Sequence, residues 1–246
     1  NQADMVSRFV EDHAFRSFQS VEEVASRIAA RLASDANLRA IEGEMRVSIA
    51  RSSLIREMAL VDARGTVIAS TEPGSVGKTL TDPQMLDNAR ASPGVLQIGA
   101  VTPGRTLGDS PHAAVQSGRR FLPTAFASPN VGPNGPLFVA TVNPEYFTSA
   151  YNALPGSAAR SLHLFSYGGR PIAYAGPGAA FPAGTVVTRV PFDGAVQRHA
   201  GGRYVENDAD GSWLSAYRVT RTYPLVVTVG VSQKEALRQL RLKVDV

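Results

Sequence analysis

Neither proline nor glycine occurs before Gly43, and these are the two residues that most readily end a helix. Within that stretch Ala14, Phe18, Val21, Ala25, Ile28 and Leu32 follow at alternating spacings of four and three, which places them in one apolar seam. A helix over residues 3–33 is predicted, about 45 Å long at 1.5 Å per residue. Ser34-Asp35 reads as its end and as the N-cap of a second amphipathic helix, carried by Leu38, Ile41, Met45 and Ile49. The seam needs a surface to lie on. Two are open: the protein's own sheet or, for part of the seam, a second copy of the chain, giving a homodimer through the N-terminal helix. Ala25 permits close approach there without demanding it.

From residue 56 the period changes to that of strands. REMALVD, then Ala-Arg-Gly, then TVIAST read as a strand pair whose turn places Gly65 where φ can be positive. After the loop EPGSVGKTL, Asp82 and Pro83 form an N-cap and first-turn pair for the short helix PQMLDNAR. Strands are expected at VLQIGAV (95–101), HAAVQSGRRFL (112–122) and GPLFVATV (135–142). Asn143-Pro144-Glu145 then opens the helix EYFTSAYNAL, which ends at Pro155-Gly156. The order now recurs. SLHLFS and PIAYAG pair across Tyr167-Gly-Gly-Arg170, a Gly/Pro-rich loop leads to a weak helical stretch around 189–199, and GRYVEN, SWLSAYRV and YPLVVTVGV supply three more strands. Ser232-Gln-Lys-Glu235 is a capping box that opens a final helix, EALRQLRLKV. The expected class is α+β. A helical stalk (1–53) precedes two modules (54–155 and 156–232), each with an antiparallel sheet of about five strands, and an exit helix (233–246) follows.

Composition narrows the function. No apolar run approaches the roughly 18–20 residues that cross a bilayer, and the opening NQADMVSRFVEDH has neither a basic leader nor an initiator Met. The chain reads as an excised piece of a longer protein. It has no cysteine, which excludes disulfides, thiolate chemistry and Cys-ligated metals. The net charge of +4 comes from arginines scattered among acids, not from the basic stripe with interleaved aromatics that marks a nucleic-acid binder.

EPGSVGKT ends like a phosphate-binding loop, but Glu72 stands where the first glycine of GxxxxGK[ST] is needed. It also follows the second strand of a hairpin, and the next helix carries its own cap, so it reads as a surface loop. Gly108-Asp109-Ser110 with His112 nearby is similar to a lipase nucleophile block, yet neighbours in a Pro-containing loop rarely meet as a Ser–His pair. His13, His112, His163 and His199 show no metal-ligand spacing. ENDADG lacks the terminal bidentate acid of a calcium loop and reads as a hairpin turn. No catalytic residue, metal or cofactor is expected.

The run MALVDARGTVIASTEPGSVGKTLTDPQML resembles the first module of a double Cache domain, the PAS-like extracytoplasmic sensor of bacterial receptors. The matching positions are Asp62, Gly65, Ser70, Gly77 and Asp82, and YPLVVTVGVSQKEAL resembles the last strand and exit helix of the second module. The resemblance implies a periplasmic sensor portion of a membrane-anchored diguanylate cyclase, histidine kinase or chemoreceptor, with the output domain outside this chain and no catalysis in it. It departs from the amino-acid-binding members, which carry an Arg-x-Trp-Tyr type stretch. Here the matching helix is PQMLDNAR, Met85 replaces the usual aromatic, and Trp213 lies in the second module, so an amino-acid ligand is not supported.

For a ligand, strand alternation puts Val115, Arg119 and Phe121 on one face. An inward Arg119 would need a partner, which a small carboxylate ligand could supply through bidentate hydrogen bonds. In the other register Arg120 takes that place beside Gln116, and an internal salt bridge to Asp82 or Glu145 is the alternative. Gln97, Met85 and Tyr146 would line the same cavity. A protein-interaction module with an empty or vestigial pocket, docking a periplasmic partner, is the competing function.

Overall fold

α1 (Gln2–Ser34) is one continuous helix, and α2 (Leu38–Ile49) follows it. The computed structural model describes every residue except 1, 35–36, 110–118, 178–180, 183, 209–210 and 235–246. The cap of α2 is Asn37, whose side-chain oxygen accepts the Ala40 N–H at 3.3 Å. Ser34 closes α1 instead, donating its hydroxyl to the Arg31 carbonyl. A capping oxygen must sit two or three residues ahead of the N–H it accepts, and Asn37 holds that place. Ala14, Phe18, Val21, Ala25 and Ile28 are fully buried and Leu32 nearly so. The seam is used within the chain.

By its contacts the chain divides into two compact units, residues 17–144 and residues 1–16 with 145–246. The unit 17–144 holds an antiparallel sheet of β1 (Ile55–Val61), β2 (Val67–Ser70), β3 (Gln97–Ile98), β4 (Thr102–Pro103), β5 (Arg120–Phe126) and β6 (Leu137–Val142). Their order is β2-β1-β6-β5-β3, with β4 also paired to β5. Of the strand expected at 95–101 only β3 forms. Residues 112–118 of the next lie outside the described residues, and β5 runs on through Pro123 to Phe126. Pro123 is tolerated because its carbonyl faces the edge where β3 ends, accepting from the Gly99 N–H at 2.9 Å. The missing proline N–H is on that same side, between two short strands.

α3 (Pro83–Ala91) covers one face of this sheet. Its Met85, Leu86 and Ala89 are buried with Ala59, Val61, Val67, Ala125 and Val139, and Met85 and Leu86 each contribute on the order of 1.5–3 kcal/mol by burial. Asp82 caps α3 as the sequence predicts, accepting the Met85 N–H at 3.0 Å.

The other unit contains α4 (Pro144–Asn152) from Glu145 onward, then β7 (Arg160–Ser166), β8 (Pro171–Ala175), α5 (Ala195–Arg198), β9 (Gly201–Asp208), β10 (Gly211–Val219) and β11 (Leu225–Ser232). The sheet order is β8-β7-β11-β10-β9. With β3 and β4 counted as one position, both sheets therefore run second, first, fifth, fourth, third strand, and the recurring order read from the sequence is a repeated topology. The helical stretch expected at 189–199 shrinks to the four residues of α5. The exit helix is described only at Gln233-Lys234, and the rest of it lies outside the described residues.

The start of α1 belongs to this second unit. Ala3 packs with Ala216 and Val231 in one buried cluster, and Asp4 and Glu11 form ion pairs with Arg203 and Arg218. His13 is enclosed by rings, stacked on Tyr146 at 5.5 Å and edge-on to Phe147 and Tyr151 at 5.9 and 5.8 Å. Burial lowers its pKa from the ordinary 6.5, against a smaller upward pull from Asp12. Below about pH 6.5 the unfolded chain binds the proton that folded His13 resists, so this contribution to stability is lost as pH falls. Melting curves between pH 7 and pH 5 are expected to show a steeper loss for wild type than for His13→Phe. Parallel curves would show that this ring does not titrate on unfolding.

Candidate ligand-binding site

The loop EPGSVGKT, with the residues after it, makes one wall of a pocket of about 320 Å³ in the unit 17–144. Its N–H groups are spent internally. Ser75, Val76 and Lys78 donate to Glu72, Pro73 and Ser75, and Gly77 donates to Val67 of β2. Gly77, at φ +82°, turns the chain so that Val67 donates to Lys78 and Leu80 to Gly65. No phosphate cradle remains. The segment is stitched along β2 and presents Thr79, Leu80 and Thr81 to the pocket.

Asp82 and Met85 follow at the start of α3, and Phe121 and Pro123 of β5 form the floor. The alternation that turns these two inward sends Arg120 and Leu122 to the opposite face. Gly99 lets the layers close, since a Cβ there would lie 2.8 Å from Met85 Sδ and 2.9 Å from Pro123 Cγ.

The last wall is the segment 102–109, which supplies Thr102, Pro103, Thr106, Leu107 and Asp109. Asp109 folds it into a turn. Its carboxylate accepts the Arg105 N–H at 2.6 Å, the Thr106 N–H at 3.3 Å and the Thr106 hydroxyl at 3.1 Å. Partial burial pushes the Asp109 pKa up, but these donors together hold it below the ordinary value. Gly108 seats the turn on the loop 73–75, where a Cβ would meet the Gly74 carbonyl oxygen at 2.7 Å. The anchor is Glu57 of β1, fully buried, which accepts the Leu107 N–H and the Ser70 hydroxyl, each at 2.7 Å. The Gly108-Asp109 pair is thus a structural joint, while Ser110 and His112 lie outside the described residues.

The charged groups of the described lining are Asp82 and Asp109, with no lysine or arginine among them. Of the residues nominated from sequence, Met85 lines the pocket. Arg119 precedes β5 and is exposed, Arg120 is half-buried on β5, and Gln97 is half-buried on β3. None of these three is in the described lining. Tyr146 packs on His13 in the other unit. From the sequence, Asp109 is weighed only as part of a lipase-like block, and Thr106 and Leu107 are not named. No local turn signal marks them, because an Asx turn accepts from an N–H after the acid whereas Asp109 accepts from Arg105 and Thr106 before it.

No protein-family model matches the chain, and no curated protein matches its sequence. Solved structures do. The extracellular domain of the putative histidine kinase rpHK1S-Z16 superposes with a TM-score of 0.78 at 21% identity, covering 96% of this chain and 95% of that one. The chain has the double Cache fold. The ligand-binding domain of the Pseudomonas aeruginosa PAO1 amino acid chemoreceptor PctB, in complex with L-Arg, shares it at TM-score 0.67 and 11% identity, over 96% and 97% of the two chains. The periplasmic sensory domain of the Campylobacter jejuni chemoreceptor Tlp1 does so at 0.67 and 10%, over 96% and 95%. The Cache positions read from the sequence prove to be joints of the first module. Asp62 accepts the Arg64 and Thr66 N–H groups at 2.9 Å each, Gly65 and Gly77 take positive φ, Ser70 donates to Glu57 and Asp82 caps α3.

Proposed function

We propose that this chain is the extracytoplasmic sensor portion of a membrane-anchored bacterial signalling protein, and that it works by binding rather than by catalysis. A small molecule occupies the pocket beside α3, and its binding shifts the balance between two arrangements that a cytoplasmic output domain, a kinase, diguanylate cyclase or chemoreceptor module, would read. The observation that carries this reading is the 320 Å³ pocket with Met85, Leu107 and Phe121 as apolar wall and hydroxyls and carboxylates around it, a composition suited to small ligands. A filled core would have favoured the protein-docking alternative.

With Asp82 and Asp109 as the charged groups among the described residues of its lining, the pocket suits a ligand that carries an ammonium or comparable donor better than a bare carboxylate. Ethanolamine and putrescine are expected to raise the melting temperature, by about 2.7 kcal/mol of stabilisation at a hundred times Kd. Asp109→Asn is expected to weaken that binding about 10–100-fold, the loss of one charge-assisted hydrogen bond. A shift with acetate or succinate that disappears in Arg119→Ala or Arg120→Ala would instead place the arginines in the site. No shift with either class would favour the docking module.

A further inference from the structure

One face of the second unit's sheet is divided: Phe165, Tyr217 and Val226 pack in a hydrophobic cluster, and beside them runs a band of buried polar side chains, which a packed core must pair. Across it lie Ser161 and His163 on β7, Thr228 on β11, Ser215 and Trp213 on β10, and Tyr204 on β9, in register with one another. Ser215, Thr228 and Trp213 are at most 6% exposed. Thr228 Oγ1 and His163 Nδ1 are 3.3 Å apart, and Tyr204 faces the hydroxyls of Ser215 and Thr228. Burial raises the Tyr204 pKa above its ordinary value.

Above this face a cavity of about 190 Å³ remains open. Phe165, Phe181, Phe192 and Pro191 form its apolar walls, and the Arg189–Glu206 ion pair borders it. Trp213 also lines it, and its indole N–H is buried without a hydrogen-bond partner among the described residues. An indole N–H can only donate, and a buried donor left unpaired costs about 1–3 kcal/mol. Gly230 keeps this end clear. A Cβ there would stand 3.1 Å from the Ser161 and Ser215 hydroxyl oxygens and 3.5 Å from the Trp213 ring.

We propose that this cavity is a second binding site, in the second module, for a small planar aromatic compound bearing a carbonyl or carboxylate oxygen. An apolar cavity of about 150 Å³ holds benzene, so the space takes one substituted ring. The three phenylalanine rings supply faces and edges for it to stack on, and the unpaired Trp213 N–H supplies the donor that its oxygen accepts. This site stands apart from the pocket beside α3, in a different unit, and does not depend on the reading of that pocket.

The chain has a single tryptophan, so its fluorescence reports on this cavity alone. Titration with benzamide or benzoate is expected to change that emission saturably, whereas fluorobenzene, a ring without the oxygen, binds at least about tenfold more weakly. Gly230→Val, which fills the floor, is expected to abolish the response while circular dichroism shows a folded chain. Trp213→Phe, read by calorimetry, should weaken benzamide about tenfold. The proposal is overturned if neither benzamide nor benzoate gives a saturable change, or if folded Gly230→Val binds as wild type does. Equal binding of fluorobenzene overturns the role of the oxygen. Should either variant fail to fold, the other and the fluorobenzene comparison decide.

Discussion

Replacing Glu57 with alanine is expected to lower the unfolding free energy by about 3 kcal/mol and to loosen the pocket that the residue braces. The carboxylate is fully buried and holds the Leu107 N–H from a position fifty residues away in sequence. Without it that N–H and the Ser70 hydroxyl lose an acceptor in a place water does not reach, and a cavity opens where the side chain was. Because the braced segment supplies Thr106, Leu107 and Asp109 to the pocket, binding of ethanolamine or putrescine should weaken in the same variant. Glu57→Gln keeps one acceptor oxygen for Leu107 and should stay within about 1 kcal/mol of wild type.

The pair also separates charge from shape. Burial holds the Glu57 carboxyl above the ordinary value of 4.5, more than the hydroxyls and the amide facing it pull it down. In the window from 4.5 upward the folded chain therefore binds more protons than the unfolded one, and stability falls with rising pH. Measured against Glu57→Gln, wild type should be at its best below that window and lose ground as pH rises through it, the opposite slope to that of His13. A wild-type difference that does not move with pH would mean that Glu57 keeps its ordinary proton affinity when folded.

Gly176→Ala is expected to be at least as damaging, for a reason confined to the backbone. Gly176 follows β8 at φ +91°, and a Cβ there would stand 1.8 Å from the Arg160 carbonyl oxygen at the start of β7. Backbone meets backbone, so no rotamer can relieve the overlap. A loss of about 3 kcal/mol or more corresponds to a melting drop of roughly 10 °C for a domain of this size. Gly184 provides the control. It has φ +79° with nothing within 4 Å of an added Cβ, so Gly184→Ala should cost only the left-handed conformation, about 1–2 kcal/mol. Equal melting temperatures for the two variants in calorimetry would show that the close approach to Arg160 is not rigid.

What the sequence makes visible is what depends on near neighbours. The helical seam, the Asp62–Gly65 turn, the Asp82 cap and the alternating strands all follow from residues within a few positions of one another, and they carry the fold class and the repeated order. The pocket depends on contacts across the chain. Glu57 sits inside REMALVD, where alternation alone leaves a polar residue free to face water. Its burial follows from the distant segment 102–109, folded by Asp109 and seated through Gly108. Pro123 reads as the end of a strand, and it hides the continuation of β5 that brings Pro123 itself to the floor and Ala125 beneath α3. Tyr146 shares a sequence neighbourhood with the first module, but α4 packs it against His13, a relationship no local pattern encodes.

The packing of Ala3 against Ala216 and Val231 has a mechanical consequence. The first turn of α1 and the closing strand lie side by side, with Asp4 and Arg203 pinning the flank. Short aliphatic side chains in such a contact oppose separation yet allow a modest slide along the strand. The helix start and the strand would then travel as a coupled pair, tuned to axial displacement and insensitive to a pull that merely spreads them.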